Sequence, residues 1–483
     1  MGRIRKNYEI FTETLWHRGP SDLKSHPSFQ AFRPSGERRE RKNTIYSKTM
    51  FTKERNEQTG APTLPPPPLN NLQGPVLDNP SDLTLATVIL IVFGIFMLLF
   101  GLLMFLIQAG LLPFNPDSTF GLLLVLLSIQ MITLGKTPFG TFRRTWIVII
   151  LGFSTAIIGT GACFIPGFLA GIIPQLVGCI MISGGVMLFF NLLFSEGRAR
   201  QWIRIPGVLQ HLTVACGFVY LTVILFGFVV LFPRFLPDIF TGLLMLVMSA
   251  GLFYLAWCIQ TLSLQYPMKE RDPETSEDKG TSGIVWFLLH HEASLSVPVS
   301  FILLLGIIFI ECAIILIPSG KGYYLFSRDG QFGLLMVIMA VQVLALGKTP
   351  FGVYKRSWFL ICIGILIALL GMYSCIVPGL LGGRMLLILG FWNLLTGSTG
   401  LTKIVIPVLQ SHRSSPNTQV SLSKSKKKLL WIVIILHLLT IGFGMNLILP
   451  GIIPSIVVLA NLFILGFLMI HLASMLRTIP LPL

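Results

Sequence analysis

Charge is what this sequence has least of. Only 12% of its 483 residues are Asp, Glu, Lys or Arg, while 53% are hydrophobic. Soluble domains carry roughly 25% charged residues, so an assembly of soluble domains is excluded, and a mean hydropathy of +0.78 points to an integral membrane protein. Acid is scarcer than base, 20 residues against 36. Of the acids only Glu311 lies well inside an apolar run, and those runs hold neither paired carboxylates nor a His-Asp-Ser set. General acid–base and nucleophilic chemistry need such constellations, so an enzyme is the least favoured class and no cofactor is implied. The seven cysteines lie in or beside apolar runs without Cys-x-x-Cys spacing, which argues against a disulfide framework and for packing. No apolar segment follows the basic start, so no cleavable signal peptide is expected.

What is present is apolar sequence in spanning lengths. A bilayer core takes roughly 20 apolar residues per helix. Such runs occupy residues 85–107, 119–136, 146–164, 172–193, 212–232 and 239–262, then 297–317, 332–348, 358–377, 380–396, 429–449 and 452–475. The expected fold is an all-α polytopic membrane protein of about twelve transmembrane helices. The tenth run is short and carries Arg384, which leaves ten or eleven spans open. Every Lys and Arg except Arg234, Lys321, Arg328 and Arg384 falls in the N-terminal tail, in alternate loops or near the C-terminus. Basic loops stay on the cytoplasmic side, so both termini are placed in the cytoplasm and the protein in the inner (plasma) membrane. The net charge of +16 is then a topology signal, with the bilayer and its anionic headgroups as partners. It is not the footprint of a nucleic-acid binder. Residues 1–82, polar and ending in a proline run at 65–68, are expected to be a disordered tail with a stiff linker.

A heptapeptide, Leu-Gly-Lys-Thr-Pro-Phe-Gly, occurs at residues 134–140 and again at 346–352, each time closing an apolar run that begins Phe-Gly-Leu-Leu. Aligned at a constant shift of 212, residues 120–171 and 332–383 are identical at 24 of 52 positions. The sequence therefore divides into two homologous six-helix halves, 83–264 and 297–483, joined by a linker at 265–296. Gly-Lys-Thr looks like the end of a phosphate-binding loop, which needs a glycine five residues before the Gly-Lys pair. Gln130 and Gln342 stand there instead, and Pro138 and Pro350 follow the motif directly. The segment is better read as a tight cytoplasmic turn. It sets Lys136, Arg143 and Arg144, and in the second half Lys348, Lys355 and Arg356, at headgroup depth, with Trp146 and Trp358 anchoring the next helix. All turns on the opposite face contain proline, among them Pro166-Gly167 and Pro378-Gly379. Each half is thus expected to be three helical hairpins. Glycines inside the runs, including Gly101, Gly159, Gly371 and Gly444, mark close helix contacts.

Four residues form a candidate intramembrane polar site. Short matching segments in two halves are a pointer to a transporter site, so Gln130 and Gln342 either face each other near mid-membrane or satisfy ordinary helix contacts. Glu311 lies seven residues before Pro318, about 10 Å below the end of its helix at 1.5 Å per residue. A lone ionised carboxylate is costly there, so it is expected to be protonated, paired or beside water. Arg384 is the nearest candidate cation in the same half, and either pairs with Glu311 or snorkels to the surface. His437 and His471 are isolated, and His290-His291-Glu292 in the linker would point apart on a helix, so no metal site is implied.

Glycine-rich segments with proline-bearing turns at 159–174 and 442–454 resemble the HdeD-like bacterial membrane proteins, built of short two-helix repeats. That resemblance covers residues 85–475 and implies an inner-membrane, acid- or stress-related protein without established chemistry. The two six-helix halves, each with a basic loop after its second helix, are also similar to major facilitator transporters. Gly135 with Arg143-Arg144, and Gly347 with Lys355-Arg356, match the glycine and terminal basic pair of that family's loop motif, whose aspartate is replaced by Phe139 and Phe351. The expected function is a non-enzymatic role in membrane integrity or stress resistance. The alternative is a secondary transporter of an apolar or weakly polar solute, with or without proton coupling.

Overall fold

Peptide groups inside lipid find no water to hydrogen-bond, and a helix is the element that satisfies them within one segment. In the computed structural model, which describes residues 83–133, 145–169, 171–194, 203, 207–233, 237–265, 295–319, 327–345, 358–379, 382–414, 424–449 and 454–478, the regular elements are accordingly helices. In the first half they are α1 (Leu85–Gln108), α2 (Pro116–Thr133), α3 (Trp146–Phe164), α4 (Ile172–Phe194), α5 (Val208–Leu231) and α6 (Asp238–Gln265). The second half contains α7 (Val297–Ser319), α8 (Arg328–Ala345), α9 (Trp358–Ile376), α10 (Gly382–Ser414), α11 (Lys424–Ile448) and α12 (Ser455–Thr478). Among the described residues eleven of these are long and apolar enough to cross a membrane, and the protein is an all-α, multi-pass membrane protein. The tail before residue 83, the linker and both heptapeptide turns lie outside the described residues.

The tenth apolar run is short, but its helix is not. α10, despite Arg384, runs for 33 residues and includes a 24-residue spanning stretch. α8 spans 18 residues, opens on Arg328 and Asp329 and carries Gln331 and Gln342. Its inner residues Leu334, Met336, Val337 and Ala340 are fully buried by protein.

Each half does consist of three close antiparallel pairs, but their membership differs from hairpins drawn across the proline turns. The tightest pairs are α1 with α6, α2 with α3 and α4 with α5, and then α7 with α12, α8 with α9 and α10 with α11. Packing thus follows the basic loops and closes each half by bringing its first helix onto its last. At every one of these six seams two glycines meet, with the backbone carbonyl of each 2.6–3.4 Å from where a Cβ on the other would stand. The pairs are Gly101 with Gly242, Gly121 with Gly159, Gly178 with Gly227, Gly306 with Gly466, Gly333 with Gly371 and Gly390 with Gly444. A Cβ on Gly121 would lie 2.7 Å from the Gly159 carbonyl oxygen, and one on Gly333 2.6 Å from that of Gly371. A proline turn reverses the chain without dictating which helix its neighbour packs on. The glycines do dictate it, because only Gly lets two backbones approach so closely.

The halves meet through α1, α2 and α3 on one side and α7, α8 and α9 on the other. α2 and α8 lie at the middle of this junction, and the spanning window of α2 is 72% buried while that of α4 is only 28% buried. The outer helices turn residues such as Phe190, Phe194, Leu221 and Phe391 outward, the side that faces lipid in a bilayer.

The seams give a direct test. Gly121→Leu and Gly333→Leu are each expected to cost about 1–3 kcal/mol through overpacking, read as a lower midpoint of thermal unfolding in detergent. Gly184→Leu, where a Cβ would meet nothing within 4 Å, is expected to leave the midpoint unchanged.

Candidate functional site

The polar groups at the junction of the halves come from the ends of four helices. α2 and α8 begin, and α3 and α9 end, on the face that carries the proline turns. An α-helix leaves its first N–H groups and last C=O groups without partners, and here the halves supply them to each other. The Asn115 N–H, just before α2, donates to the Ile376 carbonyl at the end of α9 (3.1 Å). The Ser327 N–H, just before α8, donates to the Phe164 carbonyl at the end of α3 (3.0 Å). Asn115 and Ser327 are 212 residues apart, as are Phe164 and Ile376, so one contact is made twice across an approximate two-fold axis.

Within each half the same ends are tied by an acid. The Gly167 N–H donates to Asp117 Oδ2 and the Gly379 N–H to Asp329 Oδ2, both at 2.8 Å. Gly167 and Gly379 have φ values of 77° and 85°, in the left-handed region that glycine adopts without strain. Sequence reasoning missed both aspartates, although a signal existed: they too are 212 apart, each 50 residues before the glycine it holds.

Closer to the axis, the Cys163 thiol donates to the Ser118 carbonyl (3.4 Å) and the Cys375 thiol to the Gly330 carbonyl (3.6 Å). Ser118 and Gly330 are equivalent positions that touch one another, since a Cβ on Gly330 would lie 2.5 Å from Ser118 Oγ and would collide with the Cys163 carbonyl. The Ser118 hydroxyl donates to that same Cys163 carbonyl at 3.3 Å. The two thiols, one from each half, flank this Ser118–Gly330 contact.

Glu311 lies eight residues from the end of α7, about 12 Å along the helix axis, where α7 packs on α3. Its carboxyl lies beside Thr160 of α3, a fully buried residue whose hydroxyl bonds the Ala156 carbonyl at 2.9 Å. Glu311 Oε2 is buried with no hydrogen-bond partner. Of the two readings of Arg384, pairing with Glu311 is not the one formed: Arg384 is exposed at the first turn of α10, and the carboxyl lies where α7 packs on α3. The reason is geometric, because α7 pairs with α12 and packs on α3 and α2, while α10 pairs with α11.

Gln130 and Gln342 are both half-buried, and no hydrogen bond joins them. Gln130 is fourteen residues into an 18-residue helix, about 21 Å from the proline-turn end. It therefore sits toward the basic-loop end of α2, and Gln342 holds the same place in α8. Lys136, Arg143, Arg144, Lys348, Lys355 and Arg356 lie outside the described residues. Of the isolated histidines, His471 is exposed, while the His437 ring fills the space that Gly400 leaves open between α10 and α11. Among the described residues no group of three or more His, Cys, Asp or Glu side chains is placed to hold a metal ion.

Comparison with protein-family models, with curated proteins and with solved structures returns no match. The class established by the chain itself is a multi-pass helical membrane protein whose two halves meet through paired polar helix ends.

The environment of Glu311 predicts an asymmetry among substitutions. Thr160→Val removes the hydroxyl beside the carboxyl and is expected to destabilise the protein by about 1–3 kcal/mol, measured by thermal unfolding in detergent. Thr160→Val combined with Glu311→Leu removes both groups and should recover most of that loss. Arg384→Gln is expected to stay within about 0.5 kcal/mol of the parent, as exposed substitutions do.

Proposed function

We propose that this chain is a non-enzymatic, multi-pass protein of the inner (plasma) membrane, serving membrane integrity or stress resistance in the manner of the HdeD-like proteins it resembles. One observation supports this above the alternative. The middle of the junction, where a solute path between two halves would run, is filled with apolar side chains: Leu122, Leu123, Leu124 and Val125 are fully buried, and so are Leu334, Met336 and Val337 at equivalent places in α8. Full burial leaves no water-sized space beside those side chains, and a protein packed to this degree resists opening by small displacements. The distribution of Lys and Arg supports cytoplasmic termini, with Lys136, Arg143, Arg144 and their counterparts Lys348, Lys355 and Arg356 meeting anionic headgroups. Such a protein acts by occupying and stiffening the bilayer.

A second reading, a proton-coupled secondary transporter, has one observation in its favour. The unpartnered Glu311 Oε2 lies on a seam between the halves, the kind of place where intramembrane acids serve relays.

Reconstitution into liposomes separates the two. The integrity reading expects proton flux and solute uptake no greater than in protein-free vesicles, together with faster acidification of cells that lack the protein under acid challenge. Saturable uptake that Glu311→Gln abolishes would replace it with the transporter reading.

A further inference from the structure

Two thiols, one from each half, lie where the halves meet. Cys163 and Cys375 are equivalent under the 212-residue shift, both are free and fully buried, and they close on the axis from opposite halves. Their placement is determined by backbone. Each thiol is held on a carbonyl of its own half, Ser118 or Gly330, and those two residues press against each other with no room for a Cβ on Gly330. The carbonyl that Gly330 would strike belongs to Cys163 itself. Cys163 is also the next-to-last residue of α3, and Cys375 of α9, so the pair lies about one helical turn or less from the proline-turn surface. That is the surface which the distribution of basic residues puts outside the cytoplasm, the side on which disulfides persist.

We infer that Cys163 and Cys375 are a redox-modification site: a peroxide small enough to enter at the helix ends converts them to a disulfide that locks one half to the other. One thiol attacks the peroxide oxygen, giving a sulfenic acid and releasing water. The second sulfur attacks the sulfenic sulfur, and the S–O bond breaks as a second water leaves. Two thiols and one hydrogen peroxide thus give one disulfide and two waters, and a dithiol reductant reverses the bond by exchange. The thiol–carbonyl hydrogen bonds are lost in the process, and both carbonyls lie in the first turn of a helix, where they accept backbone bonds in any case. The lock rests on the packing of the two halves but not on whether the protein transports.

Cys163 and Cys375 lie on opposite sides of the linker, so cutting the linker makes the bond visible. The full-length protein, carrying a protease site inserted after Glu277, is treated in native membranes with hydrogen peroxide, then alkylated, cut and run on a non-reducing denaturing gel. The inference expects one linked species that dithiothreitol splits into two fragments. The linked species should be lost in Cys163→Ser and in Cys375→Ser, and retained in Cys312→Ser, which removes the neighbouring buried thiol. Two fragments from the oxidised parent, or a link that survives Cys375→Ser and disappears in Cys312→Ser, overturns it. Co-purification of the cut fragments in mild detergent, run in parallel, reports on the packing of the halves. Fragments that stay together without a covalent link sink the disulfide and leave the junction standing; fragments that separate sink both.

Discussion

The structure depends on helices approaching until the backbone of one occupies the place of a side chain on the other. Inside lipid there is little hydrophobic drive to bring two apolar helices together, and association falls to van der Waals contact and weak Cα–H···O bonds. Both weaken steeply with distance, so what counts is how close the backbones come. Gly121 with Gly159 and Gly333 with Gly371 bring them closest, and the remaining four tight seams repeat the device. The order of helix pairs in each half, first with last, second with third, fourth with fifth, follows from where those glycines stand. So does the central position of α2 and α8, the two helices left with a free face when each half is closed.

That central position explains why the polar helix ends pair across the halves. The starts of α2 and α8 carry unpartnered N–H groups into protein and not into water, and the cheapest acceptors are the equally unpartnered carbonyls at the ends of α9 and α3. Once Asn115 bonds Ile376 and Ser327 bonds Phe164, Ser118 and Gly330 must meet on the axis. One of the pair has to be glycine. Two departures from symmetry lie in the same region: Thr160 stands opposite Met372 in the repeat, and Glu311 has only apolar counterparts. A duplicated scaffold carries its individual chemistry where equivalent positions stop being equivalent.

Helix existence and length were legible from the sequence to within a few residues at most boundaries, as with α3 at residues 146–164, because bilayer thickness and peptide-bond satisfaction tie apolar length to helix length. Helix partnership was not, since Pro166 and Pro378 mark reversals and say nothing of packing. Gly101, Gly159, Gly371 and Gly444 were recognised as contact residues, but their partners Gly242, Gly121, Gly333 and Gly390 could be assigned only in three dimensions. Glu311 was recognised because an acid in an apolar run is conspicuous. Its neighbour was not, because a threonine such as Thr160 usually satisfies its hydroxyl on its own helix and gives no outward sign. Arg384 was drawn to Glu311 by charge, whereas helix pairing sets the carboxyl where α7 packs on α3.

The central claim is that α2 and α8 form the sealed middle of a two-fold junction. Single cysteines placed one at a time at positions 122–125 and 334–337 of an otherwise cysteine-free protein, probed in native membranes with a small water-soluble thiol reagent, test it most directly. The structure predicts no labelling at any of the eight positions until the protein is denatured, and the same protection in both halves. Labelling along one face of either helix in the folded protein would reveal a water-filled path between the halves and contradict the account.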